Sequence, residues 1–477
     1  MGARAPGCAG LLIGFALVSS ARGLPADGGA PPNVPAERLD DRVIRGRAFD
    51  AVVWGMPAVN YDLMLQEMLS KTAARENEIV FWSRPVDWKN QTLTPNPDAI
   101  YLMTFWNTKD VGPVVVEVPP ATGGSFAGNL VTLWQMPLED VGPAGADKGK
   151  GGKYLILPPG YTRKPPPGYI VLRSDTIAGY ALIRANLVSH AEADVAKAVV
   201  YGKRLKVYPL SKAASPPPTK FTDAAEVIFD STIPYDVRFF RSLDRIIQTE
   251  SWIQRDRAMI DPLRTLGIEK GKPFKPDARM EGLLNAGIAD AHAWLEQRYD
   301  RGFEPFFPGA RWGSPATPEL VEAMQTGYAN TDRYPVDERG LIYSVGYIGI
   351  KRLGTAQFYL LNAKDKTGQG LDGAEAYRLH VPPDPPVKQY WSVTVYDRVT
   401  HALVKNLPRA SRSSQTAKKN ADGSVDVYFA PKAPAGKEDN WVPTSATGRF
   451  ELLFRFYGPE KTLFHKTWRL PDPQRVE

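Results

Sequence analysis

Two groups of short β-type runs, separated by a block of longer amphipathic segments, constrain this fold more than any other feature of the sequence. Runs rich in β-branched and aromatic residues occur at 79–82, 114–118, 130–134, 154–157 and 169–172, and again at 376–381, 390–396, 424–429 and 449–457. Turn-forming residues separate the runs, and the chain has 43 Pro and 41 Gly to supply them. The pattern predicts two β-rich domains.

Between these two groups the period of the apolar residues changes. The segments 194–204, 242–252 and 278–299 carry apolar residues at helical spacing. A chain of 477 residues is also too long for one compact core. We therefore predict an α+β fold, mainly β, with two antiparallel β-rich domains, like sandwiches or jelly rolls, and a helical segment between them. The predicted boundaries are 41–190 for the N-terminal domain, 191–330 for the helical segment and connection, and 331–477 for the C-terminal domain.

The region before the first strand has its own helical pattern. Apolar positions between Asp41 and Arg75 recur at helical spacing and are interrupted by Gly55-Met56-Pro57. Because proline removes a backbone donor and disfavours a helical residue before it, this tripeptide predicts a break between two helices.

The extreme N-terminus predicts export. Arg4 precedes an apolar run over 9–18, and Ala21-Arg22-Gly23 offers small residues at a cleavage point, so 1–23 reads as a signal peptide. The run is shorter than the about 20 residues that span a bilayer, so we expect no integral membrane span after cleavage. Residues 24–40, rich in Pro, Gly and Ala, are predicted to be a flexible leader. The expected location is periplasmic or secreted.

Cleavage would change the chemistry available to the chain. It removes Cys8, the only cysteine, and with it any disulfide or thiol nucleophile. The remaining positive charge forms no basic block, so a nucleic-acid partner is not expected. The five histidines lack the close spacing of a zinc site. We predict no metal and no cofactor.

Several long motifs resemble a known pair of domain families. In the first half these are 94–101 (TPNPDAIY), 112–119 (GPVVVEVP) and 266–274 (LGIEKGKPF); in the second half they are 371–373 (LDG), 390–397 (YWSVTVYD), 440–443 (NWVP) and 455–457 (RFY). Over about residues 45–475 the chain resembles the bacterial, exported pairing of domain-of-unknown-function family 1254, N-terminal, with family 1214, C-terminal. The resemblance implies a two-part architecture and specifies no reaction.

The segment 94–101 holds the first candidate site residues. Two prolines flank Asn96, and Asp98 is followed three residues later by Tyr101. In a functional interpretation Asp98 is a general base, Tyr101 is a proton donor from the same loop, and Asn96 contacts the ligand. In a structural interpretation the segment is a rigid Asx-type turn that enters a strand.

The C-terminal domain offers a second set of candidates. Arg409 has a planar guanidinium that suits a carboxylate, sulfate or phosphate, and Asn406 precedes it in the same loop-like sequence. Trp391, Tyr396 and Trp441 are candidates for an aromatic ligand platform. The alternatives are an ion pair that holds the loop, for Arg409, and packing inside the sandwich, for the aromatic residues.

Hydrolytic and nucleotide-binding motifs are absent from the sequence. No Gly-x-Ser-x-Gly elbow occurs, which leaves only a generic pairing of Ser392 with His401. The glycine-rich segment 142–152 lacks the Gly-Lys-Ser/Thr ending of a P-loop and reads as a hairpin loop.

Two functions remain open from the sequence. One is an exported enzyme that acts on a small polar or saccharide-like substrate in a cleft between the domains. The other is a non-catalytic ligand-binding or cell-envelope interaction protein. The two differ in one geometric expectation: the enzyme requires Asp98 and Arg409 to face one concave site. The sequence makes no prediction of the oligomeric state.

Overall fold

The structure, a computed structural model, describes Gly2, residues 36–346 and residues 349–476. The predicted signal peptide, apart from Gly2, and most of the predicted leader lie outside these residues. Within the described ranges, no helix combines the length and the apolar character needed to cross a membrane.

Two facing sheets form the N-terminal β domain. Its strands are β1 (Ile79–Phe81), β2 (Asn90–Gln91), β3 (Ala99–Asn107), β4 (Val114–Val118), β5 (Phe126–Thr132), β6 (Pro137–Val141), β7 (Gly152–Leu157), β8 (Ile170–Arg173), β9 (Ala178–Asn186), β10 (Lys206–Pro209), β11 (Phe221–Asp223) and β12 (Phe229–Asp230). The large sheet has the order β11-β1-β3-β9-β5-β6 and the small one β10-β4-β7-β8, while β12 pairs with β2. Aliphatic and aromatic residues of the large and small sheets share one buried cluster, so the two sheets enclose a core.

The C-terminal domain repeats this arrangement on a smaller scale. Its strands are β13 (Gln357–Asn362), β14 (Ala376–Val381), β15 (Val387–Asp397), β16 (Ser411–Ser413), β17 (Val425–Ala430), β18 (Trp441–Pro443), β19 (Phe450–Pro459) and β20 (Gln474–Val476). They form two sheets, β13-β19-β15-β16 and β18-β17-β14-β20, around a second aromatic-rich core.

Most of the helices lie between the two β domains. The α-helices are α1 (Ala36–Lys71), α2 (Glu192–Gly202), α3 (Val237–Thr249), α4 (Ile260–Thr265), α5 (Ala278–Arg301), α6 (Pro318–Thr326), α7 (Val336–Val345) and α8 (Lys461–Phe464), and 3-10 turns span Leu210–Lys212, Gln254–Met259 and Glu438–Asn440. One apolar cluster joins α1, α3, α5 and α7 to Phe105 and Tyr180 of the large sheet and to Leu361 and Leu453 of β13 and β19. The helices therefore connect the two domains through a shared core.

The predicted α+β class and the central helical segment are confirmed, with two differences. The sheets are not purely antiparallel, because the pairs β1 with β11, β2 with β12, β7 with β8 and β17 with β18 are parallel. Three of these pairs lie at sheet edges, and β2 with β12 forms a separate two-stranded sheet. Strands β10, β11 and β12 also lie within 191–330, where the sequence pattern indicated helices. The jelly-roll connectivity stays a prediction.

The predicted break at Gly55-Met56-Pro57 is wrong, because α1 runs through Pro57 without interruption. Residues 51–62 are buried around the whole circumference of the helix, so packing overrides the local preference of proline. Polar neighbours also bind backbone carbonyls near this turn. Arg339 donates to the carbonyl of Trp54 at 3.0 Å, and Gln135 donates to the carbonyl of Pro57 at 2.8 Å.

The centre of the large sheet depends on a close contact between an indole and a glycine. Trp106 of β3 pairs in register with Gly179 of β9. A methyl group at position 179 would lie 2.1 Å from the Trp106 ring and 2.4 Å from the carbonyl oxygen of Val131.

We expect Gly179→Ala to lower the free energy of unfolding by about 1–3 kcal/mol, the range for overpacking a dense interior. The matched control is Gly282→Ala in α5, where an added methyl meets no atom within 4 Å, and which is expected to stabilise the protein slightly. Urea denaturation of both variants measures the difference. Equal unfolding midpoints for the two variants would contradict the expectation.

Candidate functional site

The segment 94–101 crosses from one domain to the other before it enters β3. Thr94 has a left-handed φ of 39°, and its amide donates to the carbonyl of His401 at 2.7 Å. The Thr94 carbonyl accepts from Arg455 at 2.8 Å, and the Pro95 carbonyl accepts from Tyr396 at 2.6 Å. The C-terminal domain thus holds this N-terminal segment at its backbone.

The Asn96 side chain makes three of the side-chain hydrogen bonds that hold the segment in place. Its amide group donates to the hydroxyls of Tyr457 at 2.8 Å and Tyr390 at 3.2 Å, and its side-chain oxygen accepts from the amide of Asp98 at 3.0 Å. Asn96 is 1% exposed. Its contacts match the Asx-type turn of the structural interpretation, and they leave the carboxyl group of Asp98 free of that turn.

Asp98 presents a buried carboxyl group with an unusual environment. The side chain is 1% exposed, and neither oxygen has a hydrogen-bond partner among the described residues. One polar neighbour is close: the Nε2 atom of His190 lies 3.0 Å from Oδ1, at ion-pair distance. A carboxyl group buried without donors is costly, and such groups are concentrated at functional sites.

His190 comes from the chain that leaves β9, and β9 pairs with β3. Ala99 at the start of β3 is opposite Asn186 at the end of β9, so Asp98 and His190 both lie just beyond the same edge of this strand pair. The His190 side chain is 31% exposed. Because Nε2 is the ring nitrogen at contact distance from Asp98, Nδ1 is the one left for contact with a ligand.

Asp98 and His190 open onto a cleft of about 370 Å³ between the two domains. Pro97, Asp98 and His190 line the N-terminal wall, together with residues 85–88. The C-terminal wall contains Arg409 and Arg412, so a buried carboxyl group, an imidazole and two guanidinium groups share one concave surface.

The two arginines are anchored by one loop of the C-terminal domain. The Nη1 atom of Arg409 donates to the carbonyl of Trp441 at 2.9 Å, and the Nε atom of Arg412 donates to the carbonyl of Asp439 at 2.8 Å. Burial lowers the pKa of Arg409, although a guanidinium keeps its charge at neutral pH. Because each guanidinium has five donors, both side chains are fixed in place with N–H groups left for a ligand.

The structure separates the other candidates from this wall. Tyr101 is buried, and its hydroxyl accepts from the amide of Asn96 at 2.8 Å and from Arg184 at 3.3 Å. Trp391 is 3% exposed and stacks on Phe454 inside the C-terminal core. Both side chains serve packing and local hydrogen bonding.

Three further candidates also have local structural contacts. Tyr396 is fully buried, and its hydroxyl lies between Pro95 and Arg455. The indole of Trp441 donates to the carbonyl of Ala430 at 2.8 Å. Asn406 is exposed and has a left-handed φ of 61°, which suits a turn residue beside the cleft.

His401 belongs to a separate buried charge cluster. Its Nδ1 lies 2.9 Å from Glu451, and its Nε2 lies 3.8 Å from Glu296 of α5. Arg398 completes the cluster with contacts of 2.9 Å to both Glu296 and Asp300. The sequence-based pairing of Ser392 with His401 is therefore wrong, because both ring nitrogens face carboxyl groups, and the Ser392 hydroxyl is buried with no partner in the described part of the chain.

Fold and site together define a class: an α+β protein of two β domains that share a helical core and have a cleft at their interface, lined by apolar and charged residues. Residues 77–209 match the family model described as "Protein of unknown function (DUF1254)", and residues 356–461 match "Protein of unknown function (DUF1214)". The chain carries these two domains in that order, so the predicted family pairing is confirmed.

A solved structure from Vibrio agrees with this chain at the level of the fold. The VPA0106 protein from Vibrio parahaemolyticus has a TM-score of 0.56 and 19% identity, over 91% of this chain and 100% of that one. An uncharacterised protein from Burkholderia cenocepacia has a TM-score of 0.44 and 13% identity, over 92% of this chain and 96% of that one. No curated protein matches the chain.

Proposed function

We propose that this protein is an exported enzyme that acts on a small polar or saccharide-like substrate with an anionic group, bound in the cleft between the domains. One observation carries the proposal: the buried carboxyl group of Asp98 has His190 as its close polar neighbour, on a wall that faces Arg409 and Arg412. A cleft of about 370 Å³ is within the usual size range for small-molecule sites.

The arrangement supports general acid–base chemistry. Asp98, whose Oδ1 lies 3.0 Å from Nε2 of His190, would orient the ring by this ion-pair contact, and Nδ1 would then be the proton acceptor for a substrate hydroxyl. When that proton leaves, negative charge develops on the substrate. Arg409 and Arg412 would stabilise this charge from the opposite wall.

The first experiment is a thermal-shift screen of the purified protein against neutral sugars, sugar acids, hydroxy acids and sugar phosphates. Binding to the native state raises the melting temperature, so an anionic ligand of the cleft is expected to do so. We expect His190→Gln to weaken that ligand about tenfold or more, because it removes the ring nitrogen that the ligand would contact, and Asp98→Asn to weaken it similarly, because the ring loses the contact that orients it. Product analysis by NMR then tests turnover of each hit.

The matched control is His380→Asn. His380 and Asp426 form a partly exposed pair at 2.8 Å in the C-terminal domain, and neither residue lines the cleft. This variant is expected to bind and turn over the ligand like the wild type. Equal affinity in the wild type, Asp98→Asn and His190→Gln would overturn the assignment of the cleft.

A non-catalytic binding protein is the second candidate, and one observation favours it. Both cleft arginines use part of their donors on the backbone of residues 438–441, which is also what a purely structural role requires. Binding of a ligand at the cleft without any product, in wild type and variants alike, would support this candidate over the enzyme.

A further inference from the structure

Two arginines lie deep between the domains and have no acidic partner among the residues that the structure describes. Arg184 of β9 is 5% exposed and Arg455 of β19 is 2% exposed. The groups that act most strongly on their charges are tyrosines, and no carboxyl group is among them in the described part of the chain. Buried charges are normally paired, because desolvation of a lone ion is costly.

Hydrogen bonding satisfies these two guanidinium groups unequally. Arg455 donates to the hydroxyl of Thr394 at 2.9 Å, to the carbonyl of Thr94 and to the hydroxyl of Tyr396. The Nε atom of Arg184 donates to Tyr101 at 3.3 Å, but its Nη1 atom is buried and has no partner among the described residues. Arg184 therefore has a free donor as well as an unbalanced charge.

The tyrosines around the arginines do not supply the missing negative charge. Burial raises the pKa of Tyr359 well above its usual value, and burial does the same for Tyr390 and Tyr396. These phenols are neutral at pH 7. They can still donate and accept hydrogen bonds, which makes the region polar without making it anionic.

A small cavity lies against both arginines. The cavity measures about 40 Å³, and its lining includes Thr94, Arg184, Tyr359 and Arg455. One water needs roughly 10–15 Å³ measured in this way, so the space holds about three waters or one anion of a few atoms. Much of the remaining wall is apolar, with Val345, Leu361 and Leu453 among its residues, and such a wall lowers the local dielectric.

We propose that this cavity is a binding site for one small anion, of the size of chloride or a simple carboxylate such as formate, held by Arg184 and Arg455. The site is distinct from the cleft, because the segment 94–101 lies between them: Thr94 lines the cavity, whereas Pro97 and Asp98 line the cleft. A bound anion would neutralise charge at the domain interface and hold the segment that carries Asp98. The inference does not depend on the proposed function.

The test compares thermal stability in sodium formate and sodium chloride with that in sodium gluconate at equal ionic strength, since gluconate is too large for the cavity. We expect the melting temperature of the wild type to rise with the small anions by on the order of 2 °C for each tenfold increase above the dissociation constant. Arg184→Met is expected to lose this rise. The matched control is Arg398→Met, another buried arginine but one with carboxyl partners, which is expected to lose stability yet keep the response.

Two outcomes would overturn the proposal: the same response to gluconate and formate in the wild type, or an unchanged response in Arg184→Met. If Arg184→Met does not fold, crystals of the wild type soaked in sodium bromide provide the second measurement. An anomalous peak between Arg184 and Arg455 supports the site. Peaks confined to the surface show that water fills the cavity and contradict it.

Discussion

Substitution of His401 by alanine is expected to lower the free energy of unfolding by about 3–5 kcal/mol, because it leaves a carboxyl group buried without its partner. Glu451 is fully buried, and its Oε1 atom lies 2.9 Å from Nδ1 of His401. Its other oxygen has no hydrogen-bond partner in the described residues. Loss of the imidazole therefore removes the principal contact of this group, and solvent cannot replace it.

The double variant His401→Ala with Glu451→Met separates this cause from a general packing defect. Replacing both members of a buried pair by apolar groups is often close to neutral, so we expect the double variant to recover most of the loss. His401 has a left-handed φ of 54°, and the strain that alanine adds there is common to both variants and cancels in the comparison.

Urea denaturation of wild type, single and double variants measures these differences. The partly exposed pair of His380 with Asp426 supplies the control, since His380→Ala is expected to cost less than about 1 kcal/mol. A double variant that is less stable than the single one would show that packing, and not the unpaired carboxyl group, dominates at this position.

The functional consequence follows from where the cluster lies. Glu296 and Asp300 belong to α5, whereas Arg398, His401 and Glu451 belong to the C-terminal domain. The carbonyl of His401 accepts from the amide of Thr94, at the start of the segment that carries Asp98. The same charge cluster therefore joins the helical segment to the C-terminal domain and lies behind the backbone on which the candidate site depends.

Local patterns in the sequence predicted the outer parts of the fold well. The run 376–381 coincides with β14, and 278–299 lies within α5, because both have a clear period and clear turn or capping residues at their ends. Asp277, for example, caps α5 by accepting from the amide of Met280. Where one face of an element is exposed, the pattern of that face is readable in the sequence.

The sequence pattern did not predict the central strands β3 and β9, because neither has an exposed face. Along β3 and β9, every residue except the last is buried, so neither strand alternates between apolar and polar positions. Without their pairing, nothing in the sequence places His190 beside Asp98. The site thus depends on a register that only the assembled sheet defines, although Asp98 and Arg409 were candidates from their chemistry alone.

The buried charge cluster around His401 should make the free energy of unfolding fall as the pH rises through about 9. Burial disfavours the charged imidazole, but the facing carboxyl groups of Glu451 and Glu296 outweigh burial and raise the pKa of His401 from 6.5 to about 9. The folded state therefore binds this proton more tightly than the unfolded state does. Its stabilising contribution is complete below pH 6.5 and is lost as the pH rises through 9. The difference in pKa corresponds to about 3 kcal/mol.

The measurement is the free energy of unfolding at pH 6, 7.5, 9 and 10 for the wild type and for His401→Gln. Glutamine keeps a hydrogen-bond donor near Glu451 but does not titrate. The difference in free energy of unfolding between the two proteins should therefore shrink as the pH rises, because the contributions of the other titrating groups are the same in both and cancel. Parallel curves would mean that the pKa of His401 is the same in the folded and unfolded protein, and would contradict the expectation. Curves that converge as the pH rises would show that protonated His401 stabilises the contact between α5 and the C-terminal domain. Alkaline conditions would then weaken the support of the backbone that carries Asp98.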